Sequence, residues 1–277
     1  MKSGYKTIKL ETWFEFKELI DSDYHHFDWI FRGQGNAKWP LSSSLERMKC
    51  EELDEEKIVN NFKAQASVFI NKSELPDKDN NIEWLSLMQH HGAPTRLIDF
   101  TCSPYVAAYF AFEENNNNDR SIFCINGNKL YKRTQKLLKI PEAPKDEFSE
   151  YELYCRFGDE FDDFSNYDSY VNDRILDNQL TCVFPIRLKN YNKRSFLQSS
   201  TFLCGANIIF SFGSLLGQSL DEEDYIKFIL PGNIRNTVLY DLERMNITRA
   251  TLFPDLDGFS KSLKVSYDKK PPTGDER

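Results

Sequence analysis

Three segments of this chain set charged and amide side chains inside apolar sequence, where burial is costly unless each polar group finds a partner. The first reads WIFRGQGNAKWPLSSSL from Trp29 to Leu45. Arg32 there leaves an apolar strand candidate and meets Gly33 and Gly35, where a ligand or another backbone can come close. A guanidinium is a planar fork suited to phosphate or carboxylate, so strand, arginine and glycine turn together make a candidate anion seat. The second segment, QHHGAPTRLIDFTCSPYVAAYFAFEE, crowds His90, His91, Arg96, Asp99 and Thr101 beside the greasy run Tyr105 to Phe112. In the third, RSFLQSSTFLCG, Arg194 and Gln198 interrupt apolar sequence ahead of a glycine.

The second segment admits two readings. Ser103 is a good N-cap and Pro104 suits the first helical turn, so Thr101 ends a strand that feeds a helix. Such a junction exposes backbone N–H groups that favour an anion, which makes a phosphate-bearing ligand physically reasonable. Alternatively Arg96 and Asp99 form a buried structural pair, Thr101 merely terminates the strand, and His91 is a helix C-cap held by the dipole. No other chemistry is well supported. The histidines come as adjacent pairs, His25–His26 and His90–His91, without the i, i+4 spacing of a helical metal site, and no metal is expected. There is neither a phosphate loop of the GxxxxGK[ST] type nor a GxSxG elbow.

The elements that must position these residues are legible in outline. With 277 residues, 40% hydrophobic content and 22 phenylalanines, the chain is expected to bury one large core. Six scattered cysteines, no secretory leader and no membrane-length apolar run suggest a soluble cytoplasmic protein with reduced thiols. Strand candidates are DWIFRG, TRLIDF, RSIFCI, TCVFPIRL, ANIIFSF and YIKFIL. EEKIVNNFKAQASVFI and NIEWLSLMQHHG read as helices, the second ended by Gly92 and Pro94, and Asn115 to Asn118 as a loop. The pattern is mixed α+β, without the regular alternation of a doubly wound sheet. One domain is expected over residues 1–263, with a disordered tail over 264–277.

Charge is unevenly placed. Asp146 to Asp173 holds ten acids and one base, a balance of −9, which leaves +1 for the rest of a chain whose net charge is −8. The same stretch spaces aromatics from Phe148 to Tyr170 at steps of three or four, which predicts two short amphipathic helices hinged near Gly158. It reads as an insertion over about 142–180, either a solvated face or a segment with a partner-docking or lid role.

Taken together the three segments resemble the FRG domain family, named for the motif present here as Phe31-Arg32-Gly33. FRGQ stands at Phe31 to Gln34, the second segment is similar to the family's central motif, RSFLQSSTF to its third, and TLFPDLDG at Thr251 to Gly258 to its C-terminal one. The resemblance covers most of the chain. Gln198-Ser199-Ser200-Thr201-Phe202 departs from the Gln-Gln-Gly-Phe-like run of the third motif.

The family in turn resembles ADP-ribosyltransferases, which implies a split mixed β-sheet around a cleft for NAD. The cofactor is then itself the substrate. By this resemblance Phe31, Arg32, Gly33, Gln34, His91, Arg96 and Thr101 would bind the dinucleotide, and Arg32, Asp99, Thr101 and Gln198 would carry the chemistry. The acceptor macromolecule is left open. The company that resembling proteins keep implies an effector of bacterial stress or antiviral defence. Glutamine cannot take a proton at neutral pH, so Asp99 or His91 is the nearest candidate base. A catalytically silent module that binds a nucleotide or a protein through the same cleft stands as the alternative.

Overall fold

The computed structural model describes residues 4–26, 28–140, 151, 165–187 and 193–268. Seven strands form one mixed sheet in the order β1-β7-β4-β2-β3-β6-β5. They are β1 (Lys6–Lys9), β2 (Trp29–Gln34), β3 (Leu97–Thr101), β4 (Arg120–Asn126), β5 (Val183–Ile186), β6 (Ser200–Gly205) and β7 (Tyr225–Leu230). β1 runs parallel to β7, and every other neighbouring pair is antiparallel. The expected α+β class and mixed sheet are what the chain adopts.

The sheet is not evenly knit. β2 pairs with β4 over six residues, whereas its register with β3 consists of one pair, Phe31 with Thr101. Beyond that pair the two central strands splay. The gap between them is where the candidate site lies.

Two cores flank the sheet. On one side α1 (Trp13–Asp23) and α5 (Pro104–Phe112) bury Phe16, Ala107, Ala111 and Phe112 against Phe31, Ile122 and Phe228. On the other, α3 (Glu52–Gln65), α4 (Asn81–His90) and α6 (Gly127–Leu138) bury Val59, Leu85, Met88 and Tyr131 against Ile30, Ile98, Phe100 and Ile125. α2 (Ser44–Arg47) is a single turn, capped by the Ser43 hydroxyl. Each large apolar side chain so buried contributes roughly 1.5–3 kcal/mol.

α5 sits unusually close to β2. A Cβ at Gly33 would overlap the carbonyl oxygen of Ala107 and lie 2.7 Å from the amide nitrogen of Ala111. Helix backbone thus rests on strand backbone, which the alanines of α5 permit from their own side. The helix starts as expected, with the Ser103 hydroxyl accepting from the Val106 amide and Pro104 in the first turn. Its C-terminal carbonyls are held by two buried arginines that no carboxylate pairs among the described residues. Arg235 donates to the carbonyls of Phe112 and Glu113, each at 2.9 Å, and Arg120 to those of Glu114 at 3.1 Å and Asn116 at 2.7 Å. Cations there meet the negative end of the helix dipole and occupy carbonyls the helix leaves open. They also fix the expected loop at Asn115 to Asn118.

Two sequence expectations need correction. ANIIFSF is not a strand: the strand is the preceding STFLCG, β6, which lies between β3 and β5, and Ile209 and Phe210 are exposed. Asn207 ends it, because its side-chain oxygen accepts from the Ile209 amide in a local turn while its amide nitrogen donates to the Asn178 carbonyl. The helix expected through Ile70 stops at Gln65 and passes into a 3-10 turn, leaving Val68 and Phe69 exposed.

Most of the acidic stretch, its hinge included, lies outside the described residues. Of its aromatics Tyr151 and Tyr167 point inward and Tyr170 outward, and the Tyr167 hydroxyl donates to the Pro185 carbonyl at 3.1 Å. At the C-terminus a helix spans Leu256–Asp268, so it takes in the first five residues assigned to the tail. Residues 269–277 lie outside the described residues.

The contact at Gly33 can be weighed directly. Gly33→Ala should lower unfolding free energy by about 2 kcal/mol or more, since the obstacle is helix backbone and cannot swing aside. Urea denaturation measures it. A loss below about 0.5 kcal/mol would mean that α5 moves off the strand at little cost.

Candidate functional site

Where β2 and β3 splay, a cleft of about 250 Å³ opens, lined by Phe31, Arg32, Gly33, Asp99, Phe100, Thr101, Ala107, Phe110, Arg194, Gln198 and Ser200. Residues from all three sequence segments meet in it. Gly33 and Ala107 line it because the close contact of α5 with β2 forms its floor, and Phe110 stands on the next turn of the same helix.

Arg32 bridges the gap between the strands. Its Nη1 donates to the Asp99 carbonyl at 2.6 Å and lies 3.7 Å from the Asp99 carboxylate. Nε is buried without a partner, and Nη2 has none among the described residues. Burial lowers the pKa of this guanidinium, the Asp99 charge opposes that shift, and the like charge of Arg47 adds to it. A cation held so has donors to spare for an anion.

Asp99 is the one outward-facing residue of β3, its side chain 54% exposed. Its carboxylate accepts a hydrogen bond from Gln89 Nε2 at 2.9 Å, and the amide oxygen of Gln89 accepts from the Thr95 hydroxyl at 2.5 Å. The second bond decides the first. With its oxygen occupied by Thr95, Gln89 presents its nitrogen, and therefore a donor, to Asp99. Gln89 belongs to the segment singled out in the sequence but was not assigned to the site there. Only the fold shows that the last turn of α4 reaches past β3.

Arg96 does something different from either sequence reading. It is 2% exposed and pairs with Glu55 of α3, Nε donating to Oε1 at 2.7 Å and Nη2 to Oε2. The rest of its fork donates to the Ile175 carbonyl at 2.7 Å, the Gly205 carbonyl at 3.3 Å and Asn178 Oδ1 at 3.1 Å. Arg96 stands just before β3 and its side chain enters the layer of α3, whereas Asp99 faces the cleft, so they neither pair nor share it. Arg96 fastens α3 and the 175–178 loop to the sheet instead.

Thr101 and Gln198 are both buried at the cleft wall and bound to each other. The Thr101 hydroxyl donates to the Gln198 carbonyl at 2.7 Å and accepts from the Ser103 amide at 3.0 Å. Gln198 Nε2 donates to the Leu252 carbonyl at 3.0 Å, tying β6 to the TLFPDLDG segment. Ser199 takes a left-handed φ of +47° where the chain turns into β6. Gln34 and His91 fall outside the lining. Gln34 donates to the Pro40 carbonyl at 3.1 Å, and His91 is the exposed C-cap of α4, followed by Gly92 at φ +78°.

Arg194 was noted in the sequence without a role. Its guanidinium carbon lies 4.4 Å from the ring centroid of Phe253, as does that of Arg249, and Arg249 is ion-paired with Glu113. The guanidinium of Arg194 has no hydrogen bond or ion pair among the described residues. Burial lowers its pKa, against the pull of the Asp99 charge, and Arg249 lowers it further. No group of three or more His, Cys, Asp or Glu among the described residues could hold a metal ion. None of the described helices is long and apolar enough to cross a membrane.

These features define an α+β protein with a polar cleft between two splayed central strands of a seven-stranded mixed sheet. A family model of the FRG domain matches residues 27–120. The match takes in Arg32, Gln89, Asp99, Thr101 and α5, and leaves Arg194, Gln198 and the TLFPDLDG segment outside it. Comparison with curated proteins and with solved structures gives no match.

The corrected pairing predicts a contrast. Glu55→Gln should cost about 3–5 kcal/mol of stability, because it leaves the Arg96 charge buried and unpaired. Asp99→Asn, at an exposed position, should cost under about 1 kcal/mol. Equal losses in chemical denaturation of the two variants would contradict this assignment.

Proposed function

We propose that the protein binds NAD in the cleft and cleaves the bond between nicotinamide and ribose, passing the ADP-ribose to water or to an acceptor macromolecule. The observation that carries the reading is the meeting of Arg32, Arg194 and Asp99 in one cleft, two guanidiniums with unspent donors beside one exposed carboxylate. A volume of about 250 Å³ is at the small end for a ligand pocket, so it suits the diphosphate and adjoining ribose rather than a whole dinucleotide. The likeness of FRG domains to ADP-ribosyltransferases points the same way.

In this reading Arg32 anchors the diphosphate and fixes the ribose against the cleft wall. As the C–N bond breaks, its electron pair leaves with nicotinamide and positive charge develops on the ribose, where the Asp99 carboxylate stabilises it. A hydroxyl from water or the acceptor attacks that carbon and its proton passes to Asp99. Thr101 and Gln198 brace the wall, because the Thr101 hydroxyl and the Gln198 amide nitrogen are engaged with the chain itself. An effector role in bacterial stress or antiviral defence would suit such chemistry, since depleting NAD or marking a macromolecule halts growth.

One observation favours a second reading, a silent nucleotide- or protein-binding module. Thr101 and the Gln198 amide nitrogen are spent on structure, which leaves Asp99 as the one ionisable acid in the lining.

Nicotinamide release from NAD separates the two. An enzyme should release it, with loss of about 100-fold or more in Asp99→Asn, the usual consequence of removing a general base. Arg32→Gln should abolish both release and the thermal stabilisation by NAD. Stabilisation by NAD without release in the wild type establishes the silent module, and neither effect would refute NAD binding altogether.

A further inference from the structure

The charges of the cleft are of both signs and are not paired off. Arg32 contacts the Asp99 backbone more closely than its carboxylate, 2.6 Å against 3.7 Å, so the carboxylate is only loosely neutralised. Gln89, oriented by Thr95, gives that carboxylate a neutral donor and thereby holds it in place without cancelling its charge. Across the cleft the Arg194 guanidinium lies over Phe253, with Arg249 also against that ring. Arg249 has Glu113 as its counter-ion, whereas Arg194 has none among the described residues. A guanidinium stacked on a ring keeps its N–H edge available for an anion in the plane of the fork.

A fully anionic ligand would sit badly here, because any phosphate close to both arginines also approaches Asp99. A ligand whose anionic portion reaches Arg194 and Arg32 while a cationic portion reaches Asp99 would satisfy all three. On the reading that the cleft binds NAD, we propose that Arg194 is its second diphosphate contact and that Asp99 selects the oxidised dinucleotide, whose nicotinamide ring is positively charged, over the reduced one, whose ring is neutral. Asp99 then determines specificity before any bond breaks. Arg194, outside the region matched by the FRG domain, supplies the anion contact from a separate wall.

The inference is tested by equilibrium binding of NAD+, NADH and inorganic pyrophosphate to the wild type, Asp99→Asn and Arg194→Gln. Both substitutions are at partly or fully exposed positions and are not expected to unfold the chain. The wild type should bind NAD+ about tenfold more tightly than NADH, the scale of one charge pair at a protein surface. In Asp99→Asn that ratio should fall to near unity while pyrophosphate binds more tightly, and Arg194→Gln should weaken all three ligands. Equal wild-type affinity for NAD+ and NADH, a ratio that survives Asp99→Asn, or pyrophosphate binding indifferent to Arg194→Gln overturns the inference and leaves NAD binding standing. Failure of the wild type to bind either dinucleotide overturns the underlying reading as well.

Discussion

The approach of α5 to β2 at Gly33 is the constraint on which the rest of this structure depends. Backbone contact there requires a residue without Cβ on the strand, and the alanines of α5 let the helix lie close along its buried face. Once seated, the helix fixes its own entry at Thr101 and Ser103, and that end of β3 is the part paired with β2. The strands separate beyond it. Arg32 fills the separation, one residue after the pair, and is obliged to reach across to Asp99. The glycine and the arginine of the motif therefore do different jobs, one in packing and one in the cleft.

Buried cations elsewhere hold this arrangement. Arg96 and Glu55 join α3 to the sheet, while Arg120 and Arg235 take the carbonyls at the end of α5. Breaking the first leaves a bare charge in the interior, which is more costly than the net worth of the pair. Arg120 and Arg235 lean on carbonyl oxygens and the helix dipole instead of a carboxylate. All three serve to keep α5 and β3 where the cleft needs them.

Sequence patterning reached most of this. Strand cores with β-branched and aromatic runs, the Ser103-Pro104 helix start and the Gly92 helix stop are local effects, and the chain shows them where they were expected. What it could not show is which side of the sheet a strand residue faces when both sides are covered by helices. Arg96 and Asp99 looked like partners because they are close in sequence, but Arg96 enters the layer of α3 and Asp99 faces the cleft. Gln89 and Glu55 were invisible as partners for the same reason, since each meets its charge through tertiary contact. ANIIFSF misled because its apolar run outweighed the single Asn207 that turns the chain. Thr101 and Gln198 lie at the cleft, but the Thr101 hydroxyl and the Gln198 amide nitrogen are already committed to the backbone.

If the cleft binds NAD as proposed, the position of the ligand is fixed by Arg32 and Arg194. A crystal structure of the protein grown with NAD would place it: the diphosphate should lie between the splayed strands, with oxygens at about 2.7–3.2 Å from the guanidiniums of Arg32 and Arg194. An ordered ligand on another surface, or an empty cleft at saturating NAD with Arg32 still turned onto the Asp99 carbonyl, would contradict it.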